Sequence, residues 1–313
     1  MYLLCPLSSW YNNKNNMYGK KEVNAVLICP NCGSPLRREG RVMRCEKRHS
    51  FDLAAAGYCN LLLSSRSGEH VGDAKEMVAA RREFLDCGYY QPLAQAVCER
   101  VCVLAKGGRR NVVDAGCGEG YYTRQIAQRL EEEGCLEELI GIDISKAATQ
   151  YAAKRDKRTQ YITASAYHMP IADGAADLVL SLFAPTPEKE FARVLRPSGR
   201  VLCVVPGERH LWEMKCAVYD TPYRNREEKH QLEGFVLEDC IHVEYTATIA
   251  RAQDIRTLFA MTPYAHRTPP EGKRRLKALE ELTTTLSFAL LTFRPTCKTD
   301  GSGMPKRRET RHG

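Results

Sequence analysis

The sequence predicts a doubly wound α/β domain with a mostly parallel sheet, preceded by a small metal-stapled module. Three observations carry that prediction. From residue 112 onward, short apolar runs alternate with amphipathic stretches, the pattern of strands joined by crossover helices. A glycine-rich loop, DAGCGEG at 114–120, falls between the first such run and the first such helix. Upstream, Cys29, Cys32 and Cys45 cluster in a stretch with Gly and Pro punctuation and too few apolar residues for a core of its own.

Composition sets the frame for these elements. The chain has 313 residues, 43% hydrophobic and 27% charged, a globular balance that excludes wholesale disorder. No apolar run approaches the ~20 residues of a membrane helix, and no membrane association is expected. The opening MYLLCPLSSW is too short, and too soon followed by Asn and Lys, to be a secretion signal. A net charge of +8 is compatible with a nucleic-acid partner. Of 14 cysteines, many (Cys98, Cys102, Cys117, Cys203, Cys216, Cys240) sit singly among apolar neighbours, as buried reduced thiols do. A reducing, cytoplasmic compartment follows.

In chain order, residues 1–23 form an Asn- and Lys-rich flexible extension and 24–62 the stapled module. Residues 63–88 read as a linker helix that Gly88 ends. Arg81 and Arg82 point to different sides of it, one toward an acid of the sheet domain. The α/β domain occupies 89–295. NVVDAG is its first buried strand, followed by a helix over 122–130 with Tyr122, Ile126 and Leu130 on one face. ELIGIDI is the second strand and SKAATQYAAKR its helix; QYITA, DLVLSLFA and RVLCVVP continue the sheet. EKEFARVLRPSG reads as a helix between the last two, ended by Pro197 and Gly199. Residues 296–313 form a basic disordered tail containing Lys298, Lys306, Arg307, Arg308 and Arg311.

The cysteine cluster completes a metal set: Cys29-x2-Cys32-x12-Cys45-x3-His49. Three thiolates and an imidazole close a tetrahedral shell with no open position, the donor set of a structural Zn2+. Binding of that ion supplies on the order of 10 kcal/mol to a module without a core. Arg37, Arg38, Arg41, Arg44, Lys47 and Arg48 surround it, either as a solvated face or as a platform for RNA phosphates.

The glycine loop is not the G-x-G-x-x-G of dinucleotide enzymes, because Tyr121 stands where the third glycine would fall. It resembles the D-x-G-x-G-x-G signature of S-adenosylmethionine-dependent methyltransferases. That resemblance turns Asp114, Gly116, Gly118, Glu119, Gly120 and Tyr121 toward S-adenosyl-L-methionine. Asp143, with Ile144, closes the second strand, where a carboxylate takes ribose hydroxyls. Ala164 and Ser165 fall where such enzymes flank the adenine, and His168 reads as a loop histidine. LFAPTP then borders the methyl acceptor, with Phe183 either stacked on a base or part of the core.

The resemblance extends beyond the superfamily. The zinc cluster, HSFDLAAAGYCNLLL, GDAKEMVAARREFLDCGYYQPL, DAGCGEGYYT and PGERHLWEMK together resemble the RlmA-type 23S ribosomal RNA (guanine-N1)-methyltransferases over about residues 25–295. The resemblance implies a zinc-binding RNA-recognition domain, a Rossmann-like methyltransferase domain and a cleft for a 23S rRNA hairpin. It brings Tyr90 and His210 to the cofactor. Read without it, the loop after RVLCVVP lies at the carboxyl end of the sheet, which makes His210 and Trp212 site candidates, Trp212 being otherwise buried structure. The catalytic base stays open: His210 is one candidate acceptor of the guanine N1 proton, with solvent or a carboxylate as the alternatives. A homodimer is compatible with the resemblance, and the two terminal extensions have no counterpart. Two competing readings are a zinc-knuckle RNA-binding protein with an idle cofactor fold and a small-molecule methyltransferase.

Overall fold

The computed structural model describes residues 26–63, 73, 75–225 and 231–296. The expected N-terminal extension and nearly all of the basic tail lie outside the described residues, as does part of the linker. Arg37–Glu39 (β1), Val42–Arg44 (β2) and Ser50–Asp52 (β3) form an antiparallel three-stranded sheet, and Cys59–Asn60 (β4) follows. The helices Lys75–Asp86 (α1) and Gln91–Ala105 (α2) lead into the alternating part. It runs Arg110–Ala115 (β5), Tyr121–Glu132 (α3), Leu136–Asp143 (β6), Lys146–Arg155 (α4), Gln160–Thr163 (β7), Ala176–Leu182 (β8), Glu188–Val194 (α5) and Leu195–Pro206 (β9). Trp212–Val218 (α6), Phe235–Ile249 (β10), Ala252–Ala260 (α7), a 3-10 turn at Pro263–His266, Pro270–Lys277 (α8) and Leu282–Pro295 (β11) complete the chain.

The main sheet has eight strands in the order β10-β11-β9-β8-β5-β6-β7-β4. The six from β9 to β4 are parallel; β11 joins β9 antiparallel, and β10 joins β11 antiparallel. Strand order reverses between β5 and β8, so the helices that follow them, α3 and α5, lie on opposite faces of the sheet and a crevice opens above the strand ends. Strand alternation divides the core. Val112, Leu178, Leu180, Leu202 and Val204 pack with Leu93, Val97, Ile126 and Leu130 of α2 and α3. Val113, Val179, Val201 and Cys203 face the opposite side with Phe191 and Val194 of α5. Burial on both faces explains the near-continuous apolar runs of the central strands.

Two features depart from the sequence reading. Helix α5 ends at Val194, and Leu195 already pairs with Ala176 in the sheet. Pro197 disfavours helical backbone at Arg196, so the helix stops before the proline rather than at it. The cysteine module is also less separate than its composition suggests. Ile28 N–H donates to Pro170 O and Ala172 N–H to Val26 O, each at 2.9 Å, and β4 extends the main sheet beside β7. Val26, Leu27, Leu36, Met43 and Leu61 share one core with Ile162, Ile171 and Val179. A division at residue 62 therefore cuts just beyond a strand of the main sheet. No described helix is long and apolar enough to cross a membrane.

Candidate active site and metal centre

The metal centre is built from two tight turns. Gly33 N–H donates to Cys29 O (2.8 Å), and Arg48 N–H to Cys45 O (2.9 Å), bringing each pair of donors to one side of its turn. The donor atoms of Cys29, Cys32, Cys45 and His49 all lie within 4.8 Å of one another. Cys32 Sγ is 3.7 Å from Cys45 Sγ, and His49 Nδ1 is 3.5 Å from the sulfurs of both Cys29 and Cys45. A tetrahedral zinc with bonds of about 2.3 Å to sulfur and 2.0 Å to nitrogen spans edges of about 3.8 and 3.5 Å. The donor set fits that ion, with four protein ligands and no position for substrate. Arg37, Arg38, Arg41, Arg44, Lys47 and Arg48 all project from this module into solvent.

The second site is a cavity of about 660 Å³ at the carboxyl ends of β5, β6, β8 and β9. The loop after β5 shapes its floor. Gly116 has φ +92°, and a Cβ there would stand 2.4 Å from Ala184 Cβ, so only glycine admits the loop after β8 this closely. Gly118, also at positive φ, donates its N–H to Asp143 Oδ2 (3.0 Å), while Ser145 N–H donates to Oδ1 (2.8 Å). Asp143 is thereby fixed at the cavity wall. Burial raises its carboxyl pKa, and the two backbone N–H groups oppose that rise.

Glu119 also lines the cavity, is 2% exposed, and leaves Oε1 without a hydrogen-bond partner. Tyr122 lines the same wall, and its hydroxyl, buried away from solvent, is likewise unpartnered. Unpaired buried polar atoms carry a free-energy penalty that a complementary ligand removes. A ligand with vicinal hydroxyls and an ammonium group, as S-adenosylmethionine has, suits Asp143 and Glu119.

Of the residues singled out in the sequence, Tyr90, Gly116, Gly118, Glu119, Tyr121, Asp143, Ile144, Ser165 and His210 line the cavity. Asp114, Gly120 and Ala164 do not. Asp114 lies beneath the loop, where its Oδ2 accepts from Thr123 Oγ1 (2.6 Å) and burial pushes its pKa up to about 7. Gly120 packs on Ala152 and Tyr161, and Ala164 sits in the core beyond β7. Trp212 is outside the cavity, its ring 5.6 Å below the Arg224 guanidinium. Arg81 enters the cavity wall and pairs with Asp73 (2.5 Å), just ahead of its own helix, rather than with an acid of the sheet. Arg82 turns the other way, 4.8 Å over the Tyr151 ring. Asp73, Thr262 and Tyr264 are lining residues that the sequence reading missed.

The geometry corrects the reading of His210 as a proton acceptor. Ser287 N–H donates to its Nδ1 (3.3 Å), which assigns the ring proton to Nε2. The ring is 5% exposed and packed 4.7 Å from Phe288. Burial, and secondarily the Lys215 ammonium, push its pKa down to about 3. His210 is therefore a neutral hydrogen-bond donor at the cavity wall.

Both sites generate testable outcomes. Unfolded, the His210 ring takes a proton near its ordinary pKa of 6.5; folded, it does so only near 3. Its contribution to stability is complete above pH 6.5 and is lost as pH falls toward 3, at up to about 1.4 kcal/mol per unit. Urea titrations across that range should show a shallower pH dependence for His210→Asn than for the wild type. Replacing Cys29 with Ser should release zinc and lower the melting temperature of the main transition, because the module shares its core with the sheet. Full zinc content in that variant, measured by mass spectrometry, would remove Cys29 from the ligand set.

Comparison with known proteins finds matches to both parts of the chain. The family model described as RlmA, N-terminal, a zinc ribbon, matches residues 27–64, and a methyltransferase domain model matches residues 113–203. A 23S rRNA (guanine(748)-N(1))-methyltransferase from Streptomyces fradiae is 34% identical over 281 residues, covering 87% of this chain and 98% of the relative. Relatives from Micromonospora griseorubida (33% identical; 86% and 97% covered) and Bacillus subtilis (29%; 85% and 96%) carry the guanine-N1 activity as a provisional name. With a zinc-ligand cluster, a glycine-loop cavity and near full-length similarity, the chain belongs to the family of 23S rRNA (guanine-N1)-methyltransferases.

Proposed function

We propose that this protein transfers a methyl group from S-adenosylmethionine to N1 of a guanosine in a hairpin of 23S rRNA, in the cytoplasm. The observation that carries the reading is the polarity of the cavity. Its acids, Asp73, Glu119 and Asp143, gather with Arg81 about the glycine loop and α1. Phe183, Pro185, Pro206, Met261 and Tyr264 supply a separate apolar and aromatic lining.

S-adenosylmethionine supplies an already activated methyl group, so the protein's task is alignment and exclusion of water. Asp143, fixed by Gly118 and Ser145, takes the ribose hydroxyls, and Glu119 takes the ammonium. Tyr90, Ile144 and Ser165 shape the same seat, and the Nε2–H of His210 donates to an acceptor of the bound ligand. His210 orients and does not deprotonate. The N1 proton of the guanine passes to solvent or to a carboxylate of the cavity as the N–C bond forms and the sulfonium C–S bond breaks. The guanine must leave its stem to present N1, because pairing blocks that edge. The exposed arginines and lysines of 24–62 hold the phosphates of the hairpin, and 89–295 performs the transfer.

Incubation with S-adenosylmethionine and unmodified 23S rRNA, followed by nucleoside mass spectrometry and primer extension, tests the reading. The expected product is 1-methylguanosine, with a reverse-transcription stop in one hairpin. Cofactor binding without transfer to RNA would favour an idle fold, and transfer to small acceptors alone would place the activity elsewhere. Asp143→Ala should weaken S-adenosylmethionine binding at least tenfold in calorimetry with little change in melting temperature.

A further inference from the structure

Besides the sheet ends, two helical parts of the chain that lie far apart in sequence line the cavity. Arg81 and Leu85 of α1, with Tyr90 at the start of α2, form one part. Leu258 of α7 and the segment 261–264 form the other. Neither belongs to the sheet, so side chains must set their distance.

The two parts meet at Asp254. This carboxylate is 5% exposed and lies in the first turn of α7. Tyr89 Oη, 165 residues away in sequence, donates to its Oδ2 (3.1 Å). Arg251 holds both oxygens, Nε donating to Oδ2 (2.8 Å) and Nη2 to Oδ1 (3.0 Å). The same Nη2 donates to Cys87 Sγ (2.8 Å). Tyr245 Oη of β10 adds a bond to Tyr89 O (2.9 Å). Burial, then the bond to Asp254, raise the Tyr89 pKa, so the phenol stays protonated and is the donor.

The corner between α1 and α2 carries that position into the cavity. Phe84, 1% exposed, lies against both tyrosines, stacked on Tyr89 at 5.2 Å and edge-on to Tyr90 at 5.6 Å. Tyr90 then meets Phe288 at 5.3 Å and lines the cavity. On the other side, α7 runs unbroken from Asp254 to Leu258, and Met261 N–H bonds back to Thr257 O (3.1 Å). The inner face of α7 is already buried through Ile255, Leu258 and Phe259, so apolar packing alone would dock the helix. Directional bonds from a buried carboxylate define one position for it, which non-directional packing does not.

We infer that Asp254 is a positioning residue of the methyl transfer: by binding the Tyr89 hydroxyl and the Arg251 guanidinium together, it sets Tyr90 and the segment 261–264 at one distance across the cavity. The inference rests on the proposed transfer to rRNA and deepens it. Asp254 does not itself line the cavity. It acts through alignment, and a displacement of about 1 Å set far from the chemistry can lower a rate about a hundredfold.

Kinetics with saturating S-adenosylmethionine and unmodified 23S rRNA test it, with melting temperatures taken on the same preparations. Asp254→Ala should lower kcat about tenfold to a hundredfold, with KM for rRNA within about twofold because the basic face of 24–62 is untouched. Tyr89→Phe removes one hydroxyl and leaves Asp254 paired with Arg251. It should lower kcat several-fold at a nearly unchanged melting temperature, and it decides alone if Asp254→Ala does not fold. Asp254→Asn keeps an acceptor oxygen and should recover most of the rate. The double variant Tyr89→Phe/Asp254→Ala should be no slower than Asp254→Ala, since both remove the same bond. Wild-type kcat in folded Tyr89→Phe would overturn the role. So would a fall in melting temperature without a fall in kcat, or multiplicative losses in the double variant. A wild-type protein that methylates no rRNA would overturn the parent reading, and the positioning role with it.

Discussion

The cavity depends on how closely two loops from neighbouring parallel strands approach each other. A Cβ on Gly116 would meet Ala184 Cβ at 2.4 Å, so the loop after β5 and the loop after β8 form one continuous wall. Gly118 then reaches across to Asp143 at the end of β6, joining a third strand end to the same wall. In a parallel sheet these ends lie side by side because all strands point the same way, and reversal of strand order leaves room above them. Asp143 on one side and Phe183 on the other owe their positions to that convergence. A carboxylate and an aromatic ring of one cavity are then held in fixed relation without any flexible element between them.

The cysteine module solves a different problem. A parallel sheet ending at β7 would expose unpaired backbone groups on its edge, and β4 covers part of that edge. Lys157 Nζ also bonds Ala56 O (2.7 Å), and the Val26 and Ile28 bonds anchor the module's start. Zinc closes the turns that carry this segment, so the metal shapes both the basic surface and the flank of the sheet. The module is small, yet its apolar residues complete a core that belongs to the larger domain.

Much of this was legible in the residues. The five central strands, the glycine loop and the four metal ligands are short-range signals, set by apolar runs, glycine spacing and cysteine spacing. What escaped depends on long-range contact. Strands β10 and β11 were missed, although the alternation in FVLEDCIHVEYTATI and the Thr-rich LTTTLSFALLTF are strand patterns that periodicity could have found. Tyr264 and Thr262 reach the cavity only because the segment between β10 and β11 folds back over the crevice, which no local pattern encodes. The roles of His210 and Arg81 turned on single partners, Ser287 and Asp73, the first of them far along the chain. Asp114 and Gly120 belong to the loop motif but act below the cavity, since a motif fixes spacing and not orientation.

The contact between the two loops is the central claim, and a double-mutant cycle on S-adenosylmethionine affinity tests it most directly. Gly116→Ala should weaken binding at least tenfold, by forcing the loop after β8 away. Adding Ala184→Gly removes the opposing methyl group and should recover much of that loss, giving a coupling of about 1 kcal/mol or more between the sites. Strictly additive effects, or unchanged affinity in Gly116→Ala, would contradict the account.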